Sequence, residues 1–509
     1  MASTVVSSPG KVLLAGGYLV LDPQYSGVVV ATSSRFYTAI RPGNAAEGGS
    51  NTIRVRSAQF VDATWVYRFK VHDGPNAPQA GVAQVASSSG SGNKFVQLAL
   101  EKTLSLALEI TGVQAVISAL ASGLEIMIVG DNDFYSQQEQ LQKMGLPPDL
   151  ASLARIPPFA PTGVMLPDVS KTGLGSSAAL ITSLVTALLV HFTVVPPSAF
   201  AGPVSQSSRQ ARELAHNLAQ FVHCFAQGKV GSGFDVASAV FGSQIYKRFS
   251  PEVIQPLMED ATLPLAPILR PENVAWNYRV EPFCLPPHTR LLLADIHAGS
   301  NTPLLVSQVL RWRKEKAAEA HALWTALDQL NMSLAATLRR LTEFYSADSQ
   351  EYLKTLKYIS SLQSVQWFAN TMMEQPQISC LEAFYEAHLL TEVIPRFSMS
   401  LKHAQHPMGT LSGVEIEPEQ QTRLLDESVS LAGIIGGGVP GAGGFDAIWL
   451  LVCDPPEDLP DMRPLSRIER LWSSKAGVTP LLAEESDRPG LCIESLAEVP
   501  GLKELVNAV

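Results

Sequence analysis

The chain has 509 residues, of which 17% are charged and 46% hydrophobic, a composition typical of a globular protein and unlike that of a disordered one. Its formal net charge is −10, and no basic block stands out, so we expect neither nucleic acid nor an anionic membrane surface as a partner. The five cysteines are scattered without a C-x-x-C pair, which predicts reduced thiols and a cytoplasmic protein.

The first part of the chain predicts a sheet followed by helices. Strand-like apolar runs cover residues 11–15, 28–32, 36–40, 52–60, 64–71, 113–117 and 125–129. The Ser/Gly-rich segment 81–92 predicts a surface loop, and Asn93 is a suitable N-cap for a helix over 94–108.

Two apolar segments in the middle of the chain predict helices. Residues 178–195 carry no charge over a length that approaches a membrane span. They contain Thr182, Thr186 and His191 and begin at a glycine-rich turn, so we predict a buried helix and no membrane insertion. Residues 207–227 repeat apolar positions at i, i+3 and i+4, which predicts an amphipathic helix.

The second part of the chain predicts a long helical block and a second set of strands. The proline-rich segment 251–287 suggests a domain boundary, and residues 303–402 read almost entirely as amphipathic helix without sustained heptads. Further strands are predicted at 291–296, 447–452 and 490–493, and a helix at 422–432. We therefore predict two domains, residues 1–270 and 271–509. Neither end of the chain resembles a signal peptide, a retention signal or a peroxisomal signal, as expected for the cytoplasm.

The sequence DVSKTGLGSSAAL at residues 168–180 predicts a phosphate site. Gly173 and Gly175 can adopt positive φ and expose backbone N–H groups, and Ser176 and Ser177 open an apolar helix whose positive end attracts anions. Lys171 adds a full positive charge. The motif is not the common P-loop, because no lysine follows the second glycine. The alternative is a glycine turn that merely caps a helix.

Two further motifs favour the phosphate site. Lys11 follows Ser-Pro-Gly and stands directly before an apolar strand, although a solvated lysine in a turn is the alternative. In segment 434–447, six of the nine residues from 436 to 444 are glycine, which permits close approach to a ligand. A flexible linker is the alternative there, and the core strand predicted at 447–452 argues against it.

In this order, the three motifs resemble those of the GHMP small-molecule kinases, which include galactokinase, homoserine kinase, mevalonate kinase and phosphomevalonate kinase. Segments 16–22, 130–137, 227–237, 298–303, 416–418 and 424–426 resemble the phosphomevalonate kinases of eukaryotes, of fungal type. Galactokinases carry Gly-Glu-His where this chain has Gly-Gly-Tyr at 16–18. The resemblance implies an α+β, two-domain GHMP kinase fold. Its N-terminal α/β domain is related to a ribosomal-protein fold, and its C-terminal domain is ferredoxin-like with added helices.

The resemblance also implies the site residues. ATP would contact Lys171, Thr172, Gly173, Leu174, Gly175, Ser176, Ser177 and Ala178. Ser177 would also bind Mg²⁺, and His223 stands where mevalonate kinases often carry an acidic Mg²⁺ ligand. The acceptor would contact Tyr18, Lys229, Ser232, Gly233, Ser300, Thr302, Gly443 and Gly444. For each lysine the alternative is a solvated surface charge.

Lys11 and Asp235 are the catalytic residues that the resemblance implies. Lys11 would neutralise the transferring phosphoryl group. Asp235 corresponds to the acid usually assigned as the base in mevalonate kinase, although an acid at a helix N-terminus is also favourable by itself. An acceptor phosphate is largely ionised at pH 7, since its second pKa is about 6. We therefore predict that Asp235 orients the acceptor or Lys11 and is not an obligatory base.

The implied reaction transfers the γ-phosphoryl of ATP to (R)-5-phosphomevalonate, giving (R)-5-diphosphomevalonate and ADP in the mevalonate pathway of isoprenoid and sterol biosynthesis. The alternatives are mevalonate kinase or another GHMP kinase, a catalytically inactive sensor of ATP and metabolite, and a partner-binding protein that uses the helical block. The sequence leaves open whether the protein is a monomer or a homodimer.

Overall fold

The computed structural model describes residues 3–43, 49–74, 76–85, 92–201, 206–296, 302–370, 374, 376–398, 417–441, 447–456 and 463–508. The strands in these segments are β1 (Thr4–Ala15), β2 (Ser26–Pro42), β3 (Thr52–Arg56), β4 (Thr64–Asp73), β5 (Pro78–Gln84), β6 (Leu124–Gly130), β7 (Gln244–Lys247), β8 (Arg279–Pro282), β9 (Thr289–Ile296), β10 (Ile434–Gly438), β11 (Ala447–Cys453), β12 (Val478–Leu481) and β13 (Cys492–Ile493).

The helices of the first part are α1 (Lys94–Thr111), α2 (Val113–Ala119), α3 (Gln138–Met144), α4 (Leu150–Leu153), α5 (Ser176–His191), α6 (Gln206–Gln227), α7 (Phe234–Phe241), α8 (Gln255–Glu259) and α9 (Ala266–Leu269). Those of the second part are α10 (Thr302–Glu315), α11 (Ala317–Ala347), α12 (Ser349–Ser360), α13 (Ile378–Ser398), α14 (Glu419–Val429), α15 (Pro464–Ser473) and α16 (Leu502–Asn507). This mixture of helices and mainly antiparallel sheets confirms the predicted α+β class.

The first sheet has the order β13-β1-β2-β6-β3-β4-β5, and β7 pairs with both β2 and β8. Neighbouring strands are antiparallel except β3 and β6, which are parallel. β2 is long enough to pair with β7 near Val28 and with β6 near Thr38. The runs predicted as separate strands at 28–32 and 36–40 are therefore one strand.

Helices α1, α5 and α7 pack on this sheet, and α6 packs on these three helices. Most residues of α5 are buried, and its Ser183 hydroxyl lies 2.9 Å from that of Thr38 on β2. The predicted buried helix is thus confirmed, because α5 lies between the sheet and its neighbouring helices. No helix among the described residues is both long and apolar enough to cross a bilayer. The Asn93 side chain accepts from the Val96 N–H over 3.2 Å, which confirms the predicted cap of α1.

The strand predicted at 113–117 is wrong, because these residues form α2. Gly112 has φ of 87° and ends α1, after which the Val116 N–H donates to the Gly112 carbonyl and the Leu120 N–H to the Val116 carbonyl. Only Val116 is buried within α2. The β-branched residues suggested a strand, but local helical hydrogen bonds determine the conformation.

The second sheet, in the order β10-β11-β9-β12, is antiparallel throughout. Leu291, Leu293 and Leu451 on one face belong to the large core that includes α11, α12 and α13. Leu292 and Leu450 on the other face pack with α14 and α15. Both faces are therefore covered, in agreement with the continuous apolar sequence of β11.

Two elements beyond residue 270 belong to the first sheet, namely β8 and β13. Helix α16 also packs there, since Leu502 and Val506 contact the cluster that contains Val5 and Val129. The division at residue 270 stays a prediction. No disulfide joins the five cysteines, all of which lie in the described segments, and four of them are buried.

Candidate active site

The predicted phosphate loop is attached to β1. The Lys11 N–H donates to the Leu174 carbonyl over 2.9 Å, and the Ser8 hydroxyl donates to the Ala179 carbonyl over 2.6 Å. Gly173 and Gly175 have φ of 78° and 81°, and α5 begins directly after them. A Cβ on Gly175 would lie 3.1 Å from Lys11 Cε, so both backbone conformation and space favour glycine there. The half-buried N-terminus of α5 is suited to an anion.

The Lys11 ammonium lies between the loop and α7. Its Nζ donates to the Gly173 carbonyl over 2.6 Å and lies 5.5 Å from the centroid of the Phe234 ring. Phe234 is the first residue of α7 and precedes Asp235. These contacts hold a positive charge beside the loop that precedes α5.

Asp235, His223 and Ser177 lie close to one another and line the same cleft as Lys11. The Asp235 Oδ1 accepts from the Val236 N–H over 2.9 Å, and its Oδ2 lies 4.0 Å from His223 Nε2. The same His223 nitrogen lies 3.2 Å from Ser177 Oγ and 3.1 Å from Gln227 Nε2. The arrangement brings a carboxylate, a hydroxyl and an imidazole together from α7, α5 and α6.

A cleft of about 570 Å³ contains this group of side chains. Its walls include Lys229 and Gly231 from the turn before α7, Leu310 from α10, and Gly441 from the C-terminal glycine-rich segment. A Cβ on Gly17 would overlap the Gly441 carbonyl oxygen, so the N-terminal turn and the C-terminal glycine segment meet closely. The first and third glycine motifs therefore both reach the cleft.

A second cavity of about 420 Å³ adjoins the cleft. It is lined mainly by apolar and aromatic residues, among them Phe36, Trp65, Phe95, Tyr135, Leu166 and Leu180. Lys171, Ser176 and Ser177 line both cavities. The phosphate loop and the start of α5 thus lie between a polar cleft and a largely apolar pocket.

Most residues predicted for the site line the cleft. These are Lys11, Tyr18, Lys171, Gly173, Gly175, Ser176, Ser177, Lys229, Ser232, Gly233 and Asp235. Burial raises the pKa of Tyr18, and burial around the ammonium group lowers the pKa of Lys171, although the residue as a whole is exposed. The roles assigned to these residues stay predictions.

Three residues predicted to contact ATP lie behind the loop. The Thr172 hydroxyl donates to the Asp133 carbonyl, and Leu174 and Ala178 are part of the large core. Their side chains support the loop, and only their backbone is available to a ligand. Ser300, Gly443 and Gly444 lie outside the described residues, and for Thr302 only the backbone at the start of α10 is described.

The sequence did not predict that the residues of the second cavity lie together, and it did not predict Gln227 as a site residue. Asn93 and Lys94 line that cavity, but Trp65 and Tyr135 come from distant strands and carry no local signal. Gln227 follows His223 by four residues on α6, a spacing that places both on one helix face.

The comparisons with known proteins agree with this geometry. The family model described as "GHMP kinases N terminal domain" matches residues 155–243, which include the phosphate loop and Asp235. "Phosphomevalonate kinase, peroxisomal" of Arabidopsis thaliana is 35% identical over 97% of this chain and 96% of its own length. "Phosphomevalonate kinase erg8" of Aspergillus fumigatus is 35% identical over 98% of both chains. The chain belongs to the GHMP kinase family, in its phosphomevalonate kinase branch.

Two solved structures have a similar fold. A Lin0012 protein from Listeria innocua aligns with a TM-score of 0.57 at 15% identity, covering 97% of this chain and all of the other. Streptococcus pneumoniae phosphomevalonate kinase, solved in complex with phosphomevalonate and AMPPNP, aligns with a TM-score of 0.52 at 16% identity, covering 96% and 100%. The GHMP kinase fold implied by the three motifs is confirmed.

Proposed function

We propose that this protein transfers the γ-phosphoryl group of ATP to (R)-5-phosphomevalonate, giving (R)-5-diphosphomevalonate and ADP in isoprenoid and sterol biosynthesis. The observation that carries this proposal is the position of the phosphate loop between two cavities, with Lys11 and Asp235 on the cleft side. Relatives of nearly equal length are named for this activity, and the pneumococcal structure contains phosphomevalonate together with AMPPNP, an ATP analogue.

The nucleotide base fits the second cavity. Its aromatic and aliphatic walls suit a flat ring system, and Asn93 and Asp62 supply polar groups at its edge. From there the triphosphate would pass Lys171 and the N-terminus of α5, where the loop N–H groups and the helix dipole favour negative charge. The γ-phosphoryl group would then enter the cleft beside Lys11.

Mg²⁺ would be held by Ser177, with Asp235 as a second oxygen donor. The fit rests on the convergence of Ser177 Oγ and Asp235 Oδ2 around His223 Nε2, at 3.2 Å and 4.0 Å from that nitrogen. Mg²⁺ prefers oxygen ligands and keeps several waters, so a site with two protein oxygens in the cleft is sufficient. When bound, the ion would neutralise negative charge on the phosphates.

The catalytic task of the protein residues is positioning and charge neutralisation. Lys11 supplies a positive charge where the phosphoryl group transfers, and its two hydrogen bonds to the loop fix that position. Asp235 would orient the acceptor or Lys11, since an ionised phosphate needs no base to become a nucleophile. Lys229, Ser232, Gly233 and Tyr18 would surround the acceptor. Ser300, Thr302, Gly443 and Gly444 stay predicted acceptor contacts.

The rival functions lack specific support. Mevalonate carries no phosphate, whereas the cleft of this protein contains Lys171 and Lys229 in addition to Lys11. A sensor without catalytic activity is expected to have lost the lysine, the acid or the glycine loop, and all three are present.

The test is a coupled assay of ADP release with purified protein, ATP and Mg²⁺, offering phosphomevalonate, mevalonate and galactose in separate reactions. We expect turnover with phosphomevalonate alone. Turnover with mevalonate alone would identify the protein as a mevalonate kinase, which acts one step earlier in the pathway. ATP binding without turnover on any acceptor would favour the catalytically inactive sensor.

The remaining predictions concern location and assembly. We propose a cytoplasmic protein because its five cysteines, all in the described part of the chain, form no disulfide. One relative is named as peroxisomal, so a fluorescently tagged full-length chain should be compared with a peroxisomal marker. Light scattering would distinguish a monomer from a homodimer, and limited proteolysis near residue 270 would test the proposed domains.

A further inference from the structure

Helix α6 carries three fully buried polar side chains joined by hydrogen bonds. Asn217 Nδ2 donates to the Leu269 carbonyl over 3.0 Å, and Asn217 Oδ1 lies 3.0 Å from His216 Nδ1. His216 Nε2 lies 3.0 Å from Gln220 Nε2, which also donates to the Gly233 carbonyl over 2.7 Å. The series therefore runs from the end of α9 to the turn before Asp235.

The direction of every hydrogen bond in this series is determined by its members. The amide nitrogen of Gln220 can only donate, so His216 Nε2 accepts and His216 Nδ1 carries the proton that goes to Asn217. Burial lowers the pKa of His216 to about 4, which keeps the ring neutral near pH 7. Both hydrogens of the Gln220 amide are used, one for His216 and one for Gly233.

The turn at residues 230–235 accepts hydrogen bonds from two further buried side chains. The Tyr246 hydroxyl donates to the Ser232 carbonyl over 3.0 Å, and Arg248 Nη2 donates to the Val230 carbonyl over 3.1 Å. Gly233 has φ of 77° and precedes α7 directly. A Cβ on Gly233 would lie 2.6 Å from Gln220 Oε1, so the turn packs directly on the Gln220 side chain.

The turn carries two residues that line the same cleft as Lys11. Phe234 lies under the ammonium, and the next residue is Asp235. Loss of a buried donor would leave a carbonyl oxygen without a partner and allow the turn to shift. A displacement of 1 Å in a reacting group can cost about 10²-fold in rate.

We propose that Gln220 and Tyr246 are positioning residues, which hold the turn at 230–235 so that Phe234 lies correctly against Lys11 and Asp235 keeps its position in the cleft. This inference rests on the proposed phosphotransferase function. It assigns a role to buried residues that do not touch either substrate.

The test uses two conservative variants. Gln220→Met keeps a similar volume and removes both donors, and we expect kcat to fall about 10- to 100-fold. Tyr246→Phe keeps the ring and removes one hydroxyl, so a smaller fall of about three- to tenfold is expected. The KM for ATP should stay within about twofold, because neither residue lines the second cavity.

The matched control is Leu188→Ala, a fully buried core residue of α5 away from the turn. It should lower the melting temperature at least as much as Gln220→Met while leaving kcat within about twofold of the wild type. A loss of activity that merely follows loss of stability would appear in this control as well.

A double-mutant cycle with Asp235→Asn gives the decisive readout. If Gln220 and Tyr246 act through Asp235, each substitution should change kcat by less than about twofold in the Asp235→Asn background. Full persistence of the losses in that background would overturn the proposal, as would kcat values for both variants within about twofold of the wild type. If Gln220→Met does not fold, the cycle of Tyr246→Phe with Asp235→Asn tests the proposal by itself.

Hydrogen exchange provides a measurement that does not depend on activity. Amides 231–236 should exchange at least about tenfold faster in Gln220→Met than in Leu188→Ala. Equal exchange would overturn the inference even if the wild type proves inactive. Lack of wild-type turnover with phosphomevalonate would instead overturn the proposed function, and the two failures are therefore distinguishable.

Discussion

The Lys11 ammonium donates to the carbonyl oxygen of Gly173 over 2.6 Å, although the two residues are 162 positions apart. The lysine backbone N–H makes a second bond to the same loop, at Leu174. A single residue therefore connects the first strand to the phosphate loop and places a positive charge beside it. This pairing gives the most direct prediction.

Lys11→Ala should lower kcat by about 10³-fold, since it removes the charge closest to the transferring group. The backbone hydrogen bond to Leu174 remains, so circular dichroism and nucleotide binding should be largely preserved. Steady-state kinetics measure the effect, and Lys503→Ala, at an exposed residue of α16, is the control. A variant that keeps more than a tenth of wild-type kcat would contradict the role of Lys11.

Asp235→Asn should keep measurable turnover, about 10- to 100-fold below the wild type, because a phosphate acceptor is already ionised near pH 7. The amide retains an oxygen that can accept from the Val236 N–H. Rates are to be measured beside Lys11→Ala under identical conditions. If Asp235→Asn loses activity as completely as Lys11→Ala, with fold and ATP binding intact, the orienting role is wrong and Asp235 acts as a base.

Gly175→Ala should raise the KM for ATP and lower kcat by about tenfold or more. Its φ of 81° is unfavourable for alanine, and the added Cβ would press on Lys11. Gly145→Ala is the matched control, since Gly145 has φ of 65° at the end of α3 and a Cβ added there would have nothing within 4 Å. Both variants carry backbone strain, of about 1–2 kcal/mol, but only the first should impair catalysis. Equal activity in Gly175→Ala and Gly145→Ala would argue against the close contact between Gly175 and Lys11.

Val61→Trp should raise the KM for ATP about tenfold without changing the KM for the acceptor. Val61 lines the second cavity and is 47% exposed, so a larger side chain can occupy the space without disturbing the core. Val274→Trp, at a residue 94% exposed outside both cavities, is the control. Unchanged ATP affinity in Val61→Trp would place the base elsewhere.

Glu485→Gln should flatten the dependence of stability on pH. Burial raises the pKa of Glu485 from 4.5 to about 7, so between these values the folded state binds a proton that the unfolded state releases. Stability is therefore highest below the lower value and falls as the pH rises through the upper one. A difference of one pKa unit between the folded and unfolded states corresponds to about 1.4 kcal/mol. The Glu485 carboxyl should therefore change the free energy of unfolding by an amount on the order of 1–3 kcal/mol over this pH range.

Urea unfolding at several pH values between 4.5 and 7.5 measures this effect. In the variant, the glutamine oxygen can still accept from the Leu285 N–H, so the fold should persist. Glu498→Gln, at an exposed residue, should keep the wild-type slope. Identical slopes for wild type and Glu485→Gln would show that another group is responsible.

Local sequence was sufficient for the elements whose hydrogen bonds are local. The cap at Asn93, the buried helix after Ser177 and the amphipathic helix that ends at Gln227 are all found as predicted, because apolar periodicity and capping act within a few residues. The same reasoning failed at α2, where the β-branched Val113, Val116 and Ile117 suggested a strand but the chain continued as helix after Gly112.

The sequence alone determined the family, through three glycine motifs whose order and spacing are specific, and eleven of the residues that line the cleft. Only the tertiary structure decided which groups meet. The contact of Lys11 with Gly173, the second cavity, and the hydrogen bonds from Gln220 to the Asp235 turn join segments that are distant or unpatterned in sequence. Backbone conformation is encoded locally, whereas buried polar partners are chosen by packing across the whole fold.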